Sequence, residues 1–218
     1  MSATNAVAHG KGPSRYPGLN MHHSDRDANL ETESVVFGFW VFLMSDLIMF
    51  GVILATHITM ATPMGTAGGP GPKAIFDLSS VLAQTLLLLL ASLFYGLSSA
   101  AFKYRYRARD VLPWMGATAC AGAAFVWLGT QDLVGLAERG MGPSRSGFLS
   151  SYAFALGLHV LHICAALIWT GILMIQILVF GLAPLTIQTR QLRLGLMWHM
   201  LNIVWIGILS VVFLAGVA

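Results

Sequence analysis

Five apolar stretches, at about 35–61, 78–101, 114–136, 148–180 and 194–217, leave this chain few folds to adopt. A helix needs roughly 20 apolar residues to cross the hydrocarbon layer. Inside that layer, lipid offers the peptide groups no hydrogen bonds, so each crossing must satisfy its own backbone as a helix. Composition agrees: 56% of residues are hydrophobic and 10% charged, where a soluble domain carries about a quarter charged residues. With a mean hydropathy of +0.74, the reading is an all-α integral membrane protein of five transmembrane helices. The fourth stretch is overlong and is expected to tilt. It stops short of the helix-breaking Pro184.

Charge sets the expected orientation. Five crossings put the N-terminus, the second loop and the fourth loop on one side. That side holds Lys11, Arg15 and Arg26, the "KYRYRARD" run with Lys103, Arg105, Arg107 and Arg109, and then Arg190 and Arg193. The other side has only Lys73, Arg139 and Arg145. An excess of Lys and Arg marks the cytoplasmic face, so the expectation is an inner (plasma) membrane protein with a cytoplasmic N-terminus and a periplasmic C-terminus. The pI near 9.1 rests on 12 cations against 9 anions. Beside a span, "KYRYRARD" reads as an anchor for lipid headgroups, and no nucleic-acid partner is expected.

Residues 1–34 read as a polar, flexible cytoplasmic tail, and 35–218 as the membrane domain. A polar tail argues against a cleavable leader, so the first span is expected to act as its own insertion signal. His22 and His23 in the tail are adjacent, a weak metal signal. Cys120 and Cys164 lie in apolar runs without a CxxC or zinc-type spacing and read as small buried hydrophobes. No phosphate loop, dinucleotide fingerprint, zinc-protease motif or nucleophile elbow stands in a supporting context. The residues point to no catalytic centre.

Ionisable groups inside spans are costly, and each invites a functional reading. The set is Asp46, His57, Asp132, His159, His162 and His199, with Gln84, Gln131, Gln176 and Asn202 as neutral companions. In "GLHVLHICAALIW", His159 and His162 stand one helical turn apart. At about 1.5 Å per residue, His162 and His199 come out at similar depth if the last two helices pack together. Such a pair has the spacing for a bis-histidine haem, and a stand-alone b-type cytochrome is the alternative function. The competing reading has the histidines hydrogen-bonding across the bundle, at about 1 kcal/mol each. Asp46 has no Lys or Arg in its span and reads as facing a polar cleft, a lipid headgroup or a partner chain. The small-residue run "GATACAGAA", 116–124, allows another helix to come close.

Four motifs in order, "FGFWVFLMSDLIMF", "MGTAGGPGPKAIFDL", "GMGPSRSGFLSSYAFALGLHVLHICAALIW" and "LMWHMLNIVWIGILSVVFL", resemble subunit III of the haem–copper respiratory oxidases. The resemblance is closest to the five-span, cytochrome bo-type ubiquinol oxidase branch and covers the chain from about Val35 onward. It implies a non-catalytic accessory subunit that holds no metal or cofactor itself. Haems and copper then belong to partner subunit I, ubiquinol is the donor to the complex, and subunits II and IV complete it. His159, His162, Trp198 and His199 would serve interhelical packing and polar satisfaction. The resemblance also implies a V-shaped bundle, with the first two helices set apart by a phospholipid-filled cleft. Trp40, Asp46, His57 and Arg105 in the basic loop are then the candidate lipid contacts. Relatives often place an acid where this chain has Gln84, Gly129 and Asn202. Their absence here favours structural and lipid-organising work over proton transfer at those positions.

Overall fold

The computed structural model describes residues 26–62, 64–67, 78–105, 107–182 and 184–214. The expected tail up to residue 25 with His22 and His23, most of the Gly/Pro loop with Lys73, and the last four residues lie outside the described residues. Five helices follow one another: α1 (Arg26–Met60), α2 (Leu78–Tyr104), α3 (Ala108–Glu138), α4 (Gly147–Phe180) and α5 (Leu185–Ile208). A π-helical segment, Leu209–Leu214, continues α5. All five are long and apolar enough to cross a membrane, and the described residues contain no strand.

Three helices start before their apolar runs. α1 begins at Arg26, inside the stretch expected to be a flexible tail. α3 begins at Ala108 and runs through Pro113, so it lacks the bond that residue 113 would donate to the carbonyl of Arg109. α5 begins directly after Pro184, whose fixed φ suits the entry to a helix. Arg190 and Arg193 therefore stand on the first turns of α5, and the expected fourth loop shrinks to a tight corner. A helix needs a continuous apolar run only within the hydrocarbon, and its ends can be polar where water and headgroups reach.

The corners are built by local chemistry. Ser146 caps α4 by accepting from the Leu149 amide at 3.2 Å. Two residues past the end of α3 stands Gly140, whose φ of 71° is the left-handed conformation that glycine adopts without strain. There the Gly140 amide bonds the Ala137 carbonyl, and the Met141 amide bonds that of Leu136.

α5 is the central helix. Of its most apolar stretch 56% is buried, against 11% for α1. α5 packs on α1, α2 and α4, α2 and α3 form the most extensive pair, and α1 also packs on α4. These contacts do not set α1 and α2 apart as a pair from the other three, and the expected V-shape with its cleft is not confirmed. Trp198, Trp205, Phe125, Tyr95 and Phe50 are the largest wholly enclosed side chains around α5.

The small-residue run on α3 works mainly through one position. A Cβ on Gly122 would meet Trp198 Cη2 at 2.8 Å and Leu167 Cδ2 at 3.1 Å, whereas one on Gly116 would find its nearest neighbour at 4.0 Å. Cys120 is exposed and Cys164 half-buried, which corrects the expectation that both are enclosed. On a membrane helix the outward face is apolar too, so an apolar neighbourhood in sequence does not place a residue inside the protein.

Candidate functional site

The polar side chains inside the spans form separate small groups, most of them joining one helix to another. Near the middle of α1, Asp46 Oδ2 lies 3.0 Å from Nε2 of His162 on α4. The contact is close in distance but not aligned as a hydrogen bond, so it is read as an electrostatic pairing. The other ring nitrogen of His162, Nδ1, faces the Leu158 carbonyl at 2.8 Å. A carbonyl only accepts, so Nδ1 carries a hydrogen. The partner of Asp46 is thus supplied by another helix.

His159, one turn earlier, is fully buried, and neither of its nitrogens has a partner among the described residues. Its surroundings are aromatic: it stacks on Trp205 at 5.6 Å and meets Phe125 and Phe50 edge-on at 5.7 and 6.1 Å. Among the described residues its contacts are with these aromatic rings. Trp205 in turn donates from Nε1 to Thr85 Oγ1 on α2 at 3.0 Å.

Between α2 and α3, Ser80 Oγ donates to the Asp132 carboxylate at 3.1 and 3.2 Å, and Gln84 Nε2 donates to its Oδ2. Gln84 is completely enclosed and also reaches Ser80 Oγ at 3.1 Å. An amide at position 84 suits this site because it supplies the donor that a carboxylate neighbour needs.

His57, near the end of α1, is buried; its Nδ1 meets Ser151 Oγ on α4 at 2.9 Å, and its ring lies 5.0 Å from that of Phe148. The Ser151 hydroxyl donates onward to the Phe148 carbonyl at 2.9 Å, so it accepts from His57. Beside this pair is a groove of about 340 Å³ between α1 and α4, lined by Val52, Thr56, Met60, Ser150, Ser151 and Phe154 among others.

Toward the end of the bundle where α5 begins, the Arg193 guanidinium sits 6.0 Å from the Phe39 ring of α1 and 5.9 Å from the Trp169 ring of α4. Arg190 donates to Gln176 Oε1 at 2.7 Å. Trp40 is half-exposed and stacks with Phe37 at 6.1 Å. Arg105 is exposed in the turn after α2. Trp198 donates to Thr170 Oγ1 at 3.3 Å, and Asn202 Nδ2 bonds the Trp198 carbonyl at 3.1 Å. The first bond ties α5 to α4; the second lies within α5.

His199 does not face His162. It is exposed, and its Nδ1 meets Ser92 Oγ of α2 at 3.2 Å. Both nitrogens of His162 are engaged elsewhere, so the two histidines do not form the facing pair that a haem iron requires. Among the described residues, no group of three or more His, Cys, Asp or Glu side chains is placed to hold a metal ion.

Ser80, Thr85, Ser92, Ser151 and Thr170, the neutral partners of these groups, were not singled out from sequence. Hydroxyls are common in membrane helices, where they bond their own helix carbonyls, and nothing in their spacing marks the ones that reach across.

No family model matches the chain. Curated relatives do. The chain is 40% identical to cytochrome bo(3) ubiquinol oxidase subunit 3 of Pseudomonas aeruginosa, over 89% of this chain and 91% of the relative. The protein of the same name from Buchnera aphidicola subsp. Baizongia pistaciae is 34% identical, over 87% and 95%. Quinol oxidase subunit 3 of Bacillus subtilis is 31% identical, over 89% and 96%.

Proposed function

The chain belongs to the quinol oxidase subunit 3 family, and from that premise we propose that it is the non-catalytic accessory subunit of a terminal ubiquinol oxidase in an aerobic respiratory chain. It supports the assembly and stability of the haem-bearing subunit I, which carries the haems and copper and receives electrons from ubiquinol, alongside subunits II and IV. The single observation carrying this reading is 40% identity over nearly the full length of both chains. The geometry supports it: in most of the polar groups inside the spans, one helix is tied to another.

Phospholipid binding is the second part of the proposal. We place the lipid in the groove between α1 and α4 beside His57. Apolar walls from Val52 and Phe154, with the hydroxyls of Thr56 and Ser150, suit an acyl chain and its ester end. Trp40 and Arg105 are the further lipid contacts, in the other half of the membrane. The cation distribution supports a bacterial inner membrane with a cytoplasmic N-terminus.

The test is a mild-detergent pull-down from native membranes through a tag on the N-terminal tail, with reduced-minus-oxidised spectra. Haem signals are expected from the captured complex and none from this chain expressed alone. A haem b spectrum from the lone chain would overturn the reading in favour of the stand-alone cytochrome.

A further inference from the structure

His199 stands in an unusual place. At about 1.5 Å per residue, it lies roughly 21 Å beyond Leu185, in a span, Leu185–Leu214, of about 45 Å. Its partner Ser92 is near the middle of α2. Both groups therefore lie close to mid-membrane, yet His199 is exposed. An imidazole has two polar nitrogens, and within the chain only Nδ1 finds a partner among the described residues. Acyl chains offer nothing to the other. Ionisable residues at this depth face protein or a water-filled cavity.

The neighbourhood also differs from the faces that suit lipid. The outward side of α4 presents Phe154, Leu161, Ile168, Ile172 and Ile175, all apolar and exposed. Around His199, Ser92 is followed at helical spacing by Gly96 and Ala100, both exposed. Gly96 has nothing within 4 Å of where a Cβ would stand. Small residues one turn apart let a second helix backbone approach closely. Leu93, Ile203 and Ile206 give this strip an exposed apolar rim.

We infer that the α2–α5 face centred on His199 is the docking surface for a transmembrane helix of the haem-bearing subunit, and that this helix presents a hydrogen-bonding group to His199 at mid-membrane. The inference rests on the accessory-subunit reading and adds the face and the chemistry of contact. The small residues set how near the helix comes, and the imidazole sets its register, because a polar group opposite an acyl-like side chain would go unpaired.

The experiment uses the whole complex in native membranes. A photo-cross-linking amino acid replaces Ile203 or Leu93 in one set and Ile168 in the control, and the adducts are identified by mass. Positions 203 and 93 are expected to label the haem-bearing subunit, and position 168 lipid. Adducts from 203 and 93 to lipid alone, or to a second copy of this chain, while the haem-bearing subunit still co-purifies, overturn the docking face and leave the accessory role standing. If that subunit does not co-purify even with the unaltered chain, the accessory reading fails and the face loses its occupant. As a second measurement, H199L should weaken retention of the haem-bearing subunit on detergent dilution by about fivefold, the loss of one membrane hydrogen bond. H199Q should restore part of it. Unchanged retention in H199L would remove the hydrogen-bond half of the inference.

Discussion

Replacing Asp46 or His162 by leucine tests whether the mid-membrane pair acts as one unit. Their side chains are only 12% and 20% exposed, so solvent cannot replace a missing partner. In H162L the carboxyl of Asp46 is left alone among apolar neighbours, and an unpaired acid at this depth costs about 2.5–3.5 kcal/mol on insertion scales. In D46L the imidazole keeps its bond to the Leu158 carbonyl at 2.8 Å and loses only the group facing Nε2, a cost of about 1–3 kcal/mol. The double variant leaves neither group stranded and should cost less than the sum, with a coupling of about 1–2 kcal/mol, near the upper end measured for polar pairs between membrane helices. The assay is the unfolding equilibrium of the chain in mixed micelles with a rising fraction of a denaturing detergent, run as a double-mutant cycle. Additive single effects, or H162L milder than D46L, would refute the reasoning.

Other expectations follow from single contacts. G122V should destabilise the bundle by about 1–3 kcal/mol, because a Cβ there meets Trp198 at 2.8 Å, whereas G116A should be near neutral in the same assay. Q84E puts a second carboxyl against Asp132 in place of an amide donor and should cost about 2 kcal/mol; Q84E combined with D132N exchanges donor and acceptor and should recover most of it. R193L removes the cation between Phe39 and Trp169 and should cost about 1–2 kcal/mol, with R193K intermediate, read as loss of unfolding midpoint.

Apolar run length alone determined the helix count. Lipid satisfies no backbone group, so a run of some 20 apolar residues has one structure open to it whatever its neighbours do. For the same reason the polar residues with a cost inside the spans could be recognised one by one: Asp46, Asp132, His57, His159, His162 and His199 were all legible as candidates. Their partners were not. Asp46 meets His162 and His199 meets Ser92 because of how five separately stable helices rotate and pack, and periodicity is blind to that in spans apolar on every side. Depth alone put His162 and His199 level; rotation about the helix axes turned them to different neighbours. The central place of α5 and the approach of Trp198 to Gly122 also depend on side-chain shape across helices. In a bilayer the outward face of a helix is as apolar as its packed face, so the hydrophobic pattern that would choose the inward side in water is missing, and only the tertiary packing decides it.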